Sequence, residues 1–351
     1  MSAFLLILTI VLLVIVVLQI SKAAELARVL KGDSDYEESN GNLALITSVV
    51  GFIILVASLW SIFTYKDRFL PVPASEQGVW IQSMINWTMF FTCAVYIMTQ
   101  ILLFWFVYKY KFSSKRRAFW YPDNGTLELA WTVVPAIVLT VLVILGIQKW
   151  FKVFSETPTD AVVVDVTAQQ FKWTFRYPGK DNVLGKRDFS LTNSSNELGV
   201  NWNDKYSHDD FQPDEMVIPV NTPVLVRISA LDVLHNVNLV HFRVKMDAVP
   251  GIPTKIWFRP TITTDSMRLI LNNPEFEYEL NCSELCGSGH YNMRKVIRVV
   301  SLDEYKKWAE KQSIENSYYL TIVKPELDKT AGKPEAKKDS TALIKETTAT
   351  N

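Results

Sequence analysis

Apolar residues follow two different patterns along this chain, one before about residue 150 and one after it. The first part holds four apolar stretches without a charged residue, each close to the ~20 residues that a helix needs to cross a bilayer. They are Ser2–Ser21, Leu43–Tyr65, Trp87–Tyr108 and Leu129–Gln148. The sequence therefore predicts four transmembrane helices, arranged as an N-terminal hairpin over residues 1–70 and a second hairpin over residues 80–150.

The first of these stretches has a second interpretation, as a secretory signal peptide. It lacks a basic region before the apolar run, and the run is long for such a peptide. We therefore predict that it is retained as a helix.

Basic residues in the short loops orient the predicted helices. Lys109–Arg117 is the most basic of these loops, and Lys22, Arg28 and Lys31 lie between the first two helices. Both loops are expected on the cytoplasmic side, because short cytoplasmic loops carry an excess of Lys and Arg. The N-terminus and everything after Lys149 are then outside the cytoplasm. For a bacterium, this predicts a multi-pass protein of the inner membrane with its last domain in the periplasm.

Short alternating runs replace the long apolar ones from about residue 160. Residues 161–177 (AVVVDVTAQQFKWTFRY) place aromatic side chains on one parity and polar ones on the other, which is typical of a half-buried strand. The aromatic set is Phe171, Trp173, Phe175 and Tyr177. Thr222–Ser229 and Lys295–Ser301 have the same character. Many short strands favour an antiparallel sandwich or a Greek-key barrel over residues 155–315.

Three further segments complete the predicted organisation. A polar stretch over residues 179–213 is interpreted as an inserted surface loop. Ser301 and Glu304 form a capping box that predicts a short closing helix. After Val323 the chain has too few apolar residues for a core, so residues 323–351 are expected to be a polar, low-complexity tail, either solvated or bound to a partner.

Overall composition narrows the partners. The apolar fraction is 49% and the formal net charge is zero, so bulk charge points to neither nucleic acid nor an acidic partner. The lipid bilayer is the partner that the first part of the chain predicts.

Residues 281–293 (NCSELCGSGHYNM) concentrate metal-binding chemistry in one loop. Two of the three cysteines lie here, Cys282 and Cys286, together with His290 and Met293. A disulfide is one interpretation outside the cytoplasm. A structural zinc site rarely recruits methionine. Thiolates, an imidazole and a thioether together select soft copper, as in copper electron-transfer sites.

A copper site needs another nitrogen ligand from elsewhere in the chain. His208 lies in the polar insertion, whereas His235 and His241 lie near the end of an apolar strand with the same parity. Spacing alone does not choose between these two. The strand that leads into the loop carries Glu275, Glu277 and Glu279 on its outer parity. This acidic row is either a solvated strand face or a surface that suits a basic partner.

Four short segments together resemble subunit II of the cytochrome c oxidases, the haem–copper terminal oxidases of respiration. They are ELAWTVVPAIVL (128–139), DVLH (232–235), MDAVPG (246–251) and CSELCGSGHYNM (282–293). The resemblance implies a cupredoxin-like Greek-key barrel after the membrane helices, carrying the dinuclear copper centre CuA. It also implies an electron-transfer role, from a c-type cytochrome to haem in the catalytic subunit I, which works with other oxidase subunits to reduce oxygen to water.

The resemblance also implies roles for individual residues. Cys282 and Cys286 would supply the two bridging thiolates of CuA, and His235 and His290 would supply its two imidazoles. Met293 would be a weak thioether ligand, and Glu284 would offer its backbone carbonyl. The Glu284 carboxylate would also bind a magnesium ion shared with the catalytic subunit. Glu128 would stand at the mouth of a proton channel, where the simpler interpretation is a carboxylate held near a helix N-terminus by its dipole.

The chain departs from the family pattern in three ways. It shows four predicted helices before the outer domain, where the family usually has two. The separation between His235 and Cys282 is longer than is common. Phe171 stands where the family commonly has a tryptophan thought to receive the electron, while Trp173 keeps the neighbouring aromatic position. We therefore hypothesise an altered entry route, from a tethered or pre-assembled donor. The sequence contains no C-x-x-C-H, so no c-type haem is expected on this chain.

Two other functions compete with this interpretation. A membrane-anchored copper chaperone of the C-x3-C type would have a thioredoxin-like fold and would not need His290 and Met293 beside its cysteines. A quinol oxidase subunit would keep the barrel but lose the copper ligands, whereas all six positions are present here.

Overall fold

The computed structural model describes residues 2–31 and 33–331, which begin with four long helices. These are α1 (Ser2–Lys31), α2 (Asp33–Phe69), α3 (Glu76–Lys109) and α4 (Gly125–Val153).

Three segments of the described residues are long and apolar enough to cross a membrane, where the sequence predicted four. They are Glu37–Lys66, Glu76–Lys109 and Gly125–Val153. The first predicted stretch, Ser2–Ser21, is helical within α1, but many of its side chains lie outside the described residues.

Helix α2 runs antiparallel along α3. Ser48 donates to the carbonyl of Phe104 near one end of the contact, and Tyr96 bonds to Ser58 farther along. A Cβ at Gly51 would lie 2.3 Å from the Phe104 ring, so only glycine allows this approach. The helix that the sequence placed in an extra hairpin therefore packs against a helix of the second hairpin.

Contacts divide the chain into two compact units. One contains α1, α2, most of α3 and the part of α4 up to Ile144. The other contains Pro71–Ser83 and the described residues from Leu145 onward.

The second unit is built from two β-sheets around one core. Its strands are β1 (Val162–Gln169), β2 (Lys172–Arg176), β3 (Met216–Pro219), β4 (Val224–Ala230), β5 (His235–Leu239), β6 (Val244–Ala248), β7 (Thr254–Phe258), β8 (Tyr278–Cys282) and β9 (Arg294–Val300). The strand order is β2-β1-β4-β7 in one sheet and β3-β9-β8-β5-β6 in the other. Apolar side chains from both sheets form a single buried cluster, which makes this a β-rich, cupredoxin-like domain.

Two strand pairs differ from the antiparallel arrangement that the sequence predicted. β1 pairs with β4 in parallel, and β3 pairs with β9 in parallel. Parallel neighbours need a long connection, and both pairs have one. The polar insertion and β3 separate β1–β2 from β4, and five strands separate β3 from β9.

The predicted strand over residues 161–177 is a hairpin, β1 and β2, with its turn at Gln170 and Phe171. Trp173, Phe175 and Tyr177 are buried as their parity predicted, but Phe171 is 39% exposed. The prediction for Phe171 was wrong because the chain reverses there, which takes its side chain out of the strand alternation.

A segment before α3 also belongs to the β domain. The backbone N–H of Ala74 donates to the carbonyl of His241 at 2.7 Å, and the Ser75 hydroxyl donates to the carbonyl of Phe242 at 2.6 Å. Ala74 and Ser75 are fully buried. Residues 71–79, which the sequence assigned to neither hairpin, thus help to close the β domain.

The polar insertion is anchored to the domain by charge and by aromatic contacts. Arg176, at the end of β2, forms a buried ion pair with Asp210. The ring of His208, predicted to be solvated, stacks on Tyr319 at 3.7 Å, and Trp202 stacks on Tyr318. The insertion therefore contacts the chain that follows the β-sheets.

Three helices accompany the sheets: α5 (Thr264–Leu271), α6 (Leu302–Glu315) and α7 (Lys324–Ala331). The Ser301 hydroxyl accepts from the Glu304 N–H at 3.2 Å, which confirms the Ser301 half of the predicted capping box, while the Glu304 carboxylate bonds to Arg298. The start of the predicted tail is helical as α7, and residues 332–351 of that tail lie outside the described residues.

Candidate metal centre

Three chain segments meet at one end of the β domain. The β1–β2 turn lies against residues 232–235, which lead into β5, and against the loop between β8 and β9. Gln170 in the turn bonds to Asp232 and to Cys286, and Cys282 ends β8. The loop that the sequence singled out is therefore held between two other segments.

The predicted copper ligands converge at this point. Cys286 Sγ lies 3.9 Å from Cys282 Sγ, 3.5 Å from His290 Nδ1 and 3.9 Å from Met293 Sδ. Cys282 Sγ lies 3.8 Å from His235 Nδ1 and 3.2 Å from the Glu284 carbonyl oxygen. The structure thus brings all six predicted residues together, although their roles as ligands stay a prediction.

The two cysteines of the loop are not joined to each other. A disulfide requires sulfurs about 2.05 Å apart, whereas Cys282 and Cys286 are free thiols with sulfurs 3.9 Å apart. His235, Cys282 and Cys286 offer ligand atoms that all lie within 4.8 Å of one another.

His235 and His241, which spacing did not distinguish, have different environments. His235 is fully buried with Nδ1 directed toward Cys282. His241 Nδ1 bonds instead to the carbonyl of Val72 at 3.1 Å, and burial lowers its pKa. His241 therefore joins the segment before α3 to the β domain, and His235 is the histidine at the cluster.

Asp232 orients the imidazole of His235. Its Oδ1 lies 2.9 Å from His235 Nε2, which leaves Nδ1 free to face the sulfurs. Burial acts to raise the pKa of Asp232, but hydrogen bonds from Gln170, His235 and Val233 outweigh it and hold the pKa below its ordinary value. A carboxylate paired with the second ring nitrogen is the usual partner of a metal-binding histidine. Sequence reasoning used the DVLH segment without assigning this role to Asp232.

Burial is uneven across the cluster. Cys286 and Met293 are almost fully buried, whereas the neighbouring Leu285 and Tyr291 are 81% and 88% exposed. Burial, with a further contribution from Cys282, raises the pKa of the Cys286 thiol to about 11. Without a metal this thiol keeps its proton at neutral pH, so metal binding must displace that proton.

The donor set fits copper. It contains two thiols, two imidazoles and a thioether in a largely buried site, and soft sulfur ligands with imidazole favour this metal. Each sulfur has its own imidazole nitrogen nearby, His235 for Cys282 and His290 for Cys286. A single ion bound by only His235 and the two cysteines would leave the donor atoms of His290 and Met293 unused.

The loop between β8 and β9, residues 283–293, is called the ligand loop. The two aromatic residues predicted at the electron entry lie on different sides of it. Trp173 is buried, and its Nε1 donates to the carbonyl of Met293 at 3.3 Å. Phe171 lies on the outside, where a Cβ at Gly289 would be 2.6 Å from its ring.

Other predicted residues are not among the donors of this cluster. Glu128 is exposed in the first turn of α4, in the unit of membrane helices. Glu275 and Glu277 are exposed as predicted, while Glu279 is half-buried and paired with Arg294 at 2.8 Å.

Comparison with known proteins agrees with this architecture. Residues 162–300 match the family model for the periplasmic domain of cytochrome c oxidase subunit II, and residues 57–148 match the model for its transmembrane domain.

Individual relatives are named as subunit 2 of cytochrome c oxidases. The alternative cytochrome c oxidase subunit 2 of Bradyrhizobium diazoefficiens is 30% identical over 75% of this chain and 91% of its own length. Cytochrome c oxidase subunit 2 of Cereibacter sphaeroides is 29% identical over 72% of this chain and 81% of its own. The crystal structure of the periplasmic domain of subunit II from Bradyrhizobium japonicum is 28% identical and covers 46% of this chain and 99% of that one, with a TM-score of 0.32.

The fold and the matched models define a membrane protein with apolar helices and a cupredoxin-like periplasmic domain. The chain belongs to the cytochrome c oxidase subunit II family. The family's periplasmic domain implies copper binding, and the group of His235, Cys282 and Cys286 is the candidate site.

Proposed function

We propose that this chain is the electron-transfer subunit of a respiratory oxidase and that its metal centre is the dinuclear copper site CuA. It accepts electrons from a c-type cytochrome and passes them to haem in the catalytic subunit, where oxygen is reduced to water. When bound, the copper pair supplies a site that takes up and releases one electron with little rearrangement.

The observation that carries this proposal is the arrangement of donors around two sulfurs. Cys282 and Cys286 lie 3.9 Å apart, and each has a different imidazole within 4 Å. Two ions that shared both sulfurs would each find an imidazole. Met293 and the Glu284 carbonyl supply weaker donors from the same loop.

Protein groups around the donors hold them in place before metal binds. Asp232 fixes the ring of His235, and Trp173 fixes the Met293 carbonyl. Burial of Cys286 and Met293 keeps water from the sulfurs, and hydrophobic surroundings of this kind tune the potential of a metal centre.

Several finer parts of the function rest on the family resemblance. The exposed Glu284 carboxylate would bind magnesium together with the catalytic subunit. Glu128, at the start of α4, would admit protons to the channel that leads to the oxygen-reducing site. The protein would lie in a bacterial inner membrane, with α1 as a fourth transmembrane helix.

Electron entry is proposed at the outer face of the ligand loop. Phe171 is 39% exposed and packs over Gly289, whereas Trp173 is 3% exposed and lies beneath the loop. A donor that touches the surface therefore reaches Phe171 first. Because Phe171 replaces the tryptophan expected there, the donor would be tethered or pre-assembled, and efficient turnover with soluble cytochrome c would contradict this part.

Metal analysis tests the central proposal. The full chain, purified in detergent and loaded with copper, should hold two copper ions, and Met293→Leu should retain both because the weakest ligand alone is lost. A chain that holds one ion, or exchanges it readily with a small chelator, would support the alternative of a membrane-anchored copper chaperone. The two-sheet fold and the presence of His290 and Met293 beside the cysteines favour the oxidase subunit.

A further inference from the structure

The β1–β2 turn is bonded to both segments that carry the predicted ligands. At its centre, the backbone N–H of Gln170 donates to Asp232 Oδ2 at 2.6 Å. The side-chain Nε2 of the same residue donates to the carbonyl of Cys286, also at 2.6 Å and 116 residues away in sequence. One residue therefore joins two segments that are otherwise distant along the chain.

Each of these bonds acts on a residue next to a predicted ligand or on the ligand itself. Asp232 receives the Gln170 N–H on one oxygen and faces His235 Nε2 with the other. The carboxylate that orients the imidazole is thus itself held in place. The second bond holds the Cys286 backbone, which restricts where the Cys286 sulfur can lie.

The ligand loop packs closely on this turn. Gly287 has a positive φ of 137°, and a Cβ there would lie 3.0 Å from Gln170 Nε2 and from the Phe171 ring. A side chain at Gly287 would therefore separate the loop from the turn. Gln170 is itself exposed, but the residue whose carbonyl it binds is 5% exposed. Its side chain therefore adds little to the hydrophobic core, although its bond reaches a buried residue.

We propose that Gln170 is a positioning residue of the metal centre. It touches no metal ligand atom. Through Asp232 it sets the orientation of His235, and through the Cys286 carbonyl it sets the separation of the two sulfurs. This inference rests on the proposed function, because it assumes that these ligands bind copper.

Gln170→Met in the full chain tests the proposal, since methionine keeps the length of the side chain and removes its donor. Gln169→Met is the matched control. Gln169 is the adjacent residue of the same type, and among the described residues its side-chain oxygen has no hydrogen-bond partner. Gln170→Glu is a second variant of unchanged size that places an acceptor against the Cys286 carbonyl.

Hydrogen exchange on the metal-free protein is the first measurement. Loss of one hydrogen bond should speed amide exchange in residues 283–293 by about tenfold in Gln170→Met and by more in Gln170→Glu. Gln169→Met should exchange like the wild type. Equal loss of protection across the whole β domain would instead show a general role in folding and would overturn the proposal.

Copper affinity and midpoint potential are the second measurement. Gln170→Met should bind copper about 10- to 100-fold more weakly, the usual effect of losing a group that orients metal ligands. The midpoint potential of Gln170→Met should differ from that of the wild type and of Gln169→Met. Gln170→Glu should have the lowest potential, because its negative charge favours the oxidised centre. Unchanged exchange, affinity and potential in Gln170→Met would refute the proposal. Failure of the wild type to bind a copper pair would refute the proposed function instead, and the metal-free exchange would still decide the role of Gln170.

Discussion

The two ends of strand β2 use polar groups in opposite ways. At the end near the metal centre, Trp173 donates to the backbone carbonyl of Met293. Nearby, Cys282 Sγ and His235 Nδ1 face each other. At the other end, Arg176 is 1% exposed and its charge is neutralised by Asp210, which also accepts the N–H of Gly185. Under the proposed function, one end keeps donor atoms available for copper. The other end pairs its charges within the protein to hold the insertion. The first arrangement would then serve metal binding, and the second serves stability.

The largest expected effect is at the metal end. Cys286→Ser removes a proposed bridging sulfur, so the copper pair should be lost while the chain remains folded, because serine is smaller and the site lies at the edge of the core. Metal content and the visible spectrum measure this. Cys93→Ser, in α3, should leave both unchanged. An intact copper pair in Cys286→Ser would contradict the proposed bridging role.

The next effect is at the opposite end, on stability alone. Arg176→Met leaves Asp210 buried without its cation, which should lower the free energy of unfolding by about 3–5 kcal/mol. Denaturant titration of the full chain in detergent measures the loss. Arg298→Met is the control, because its ion pairs with Glu215 and Glu304 are partly exposed and should contribute less than about 1 kcal/mol. A changed copper spectrum in folded Arg176→Met would remove the distinction between the two ends.

The same ion pair should also give a pH dependence. Burial raises the pKa of Asp210 from about 3.8 to about 6, despite the neighbouring Arg176 and the N–H of Gly185; Asp209 adds to the rise. The folded protein therefore holds a proton that the unfolded chain releases, so this contribution to stability is present below pH ~4 and is lost as the pH rises to ~6. Its size is on the order of 3 kcal/mol.

Asp210→Asn should flatten that dependence. The variant has an unpaired Arg176, which shifts its stability at every pH but does not restore the slope. Thermal unfolding of the two proteins between pH 4 and pH 7 compares them. Parallel curves for wild type and variant would show that Asp210 does not titrate in this range.

The smallest effect concerns electron entry at the exposed side of the loop. Phe171→Trp restores the aromatic residue that the family commonly has there, and should raise turnover with soluble cytochrome c by about tenfold, or about 1.4 kcal/mol in barrier height. Trp173→Phe serves as the comparison, because its buried ring should affect the Met293 carbonyl rather than docking. Equal turnover of Phe171→Trp and wild type would show that this position does not limit electron entry.

Features set by neighbouring residues could be predicted from the sequence. The ligand loop, the buried parity of Trp173 to Tyr177 and the Ser301 cap each depend on a few consecutive positions. Features set by distant contacts could not. Phe171 followed the strand parity in sequence, yet the chain reverses at that point. The link from Gln170 to Cys286 spans 116 residues, and the parallel pairing of β1 with β4 depends on how the insertion folds between them. His235 and His241 share one parity, so the residue pattern alone did not separate them; the family resemblance favoured His235, and the two histidines have different partners in the structure.

Electron paramagnetic resonance of the copper-loaded full chain tests the central claim most directly. The account predicts one unpaired electron shared equally by two copper nuclei, because Cys282 and Cys286 would each bind both ions. Loss of that pattern in His235→Asn but not in His241→Asn would tie it to the cluster. A spectrum from a single copper nucleus in the wild type, or no bound copper, would contradict the account.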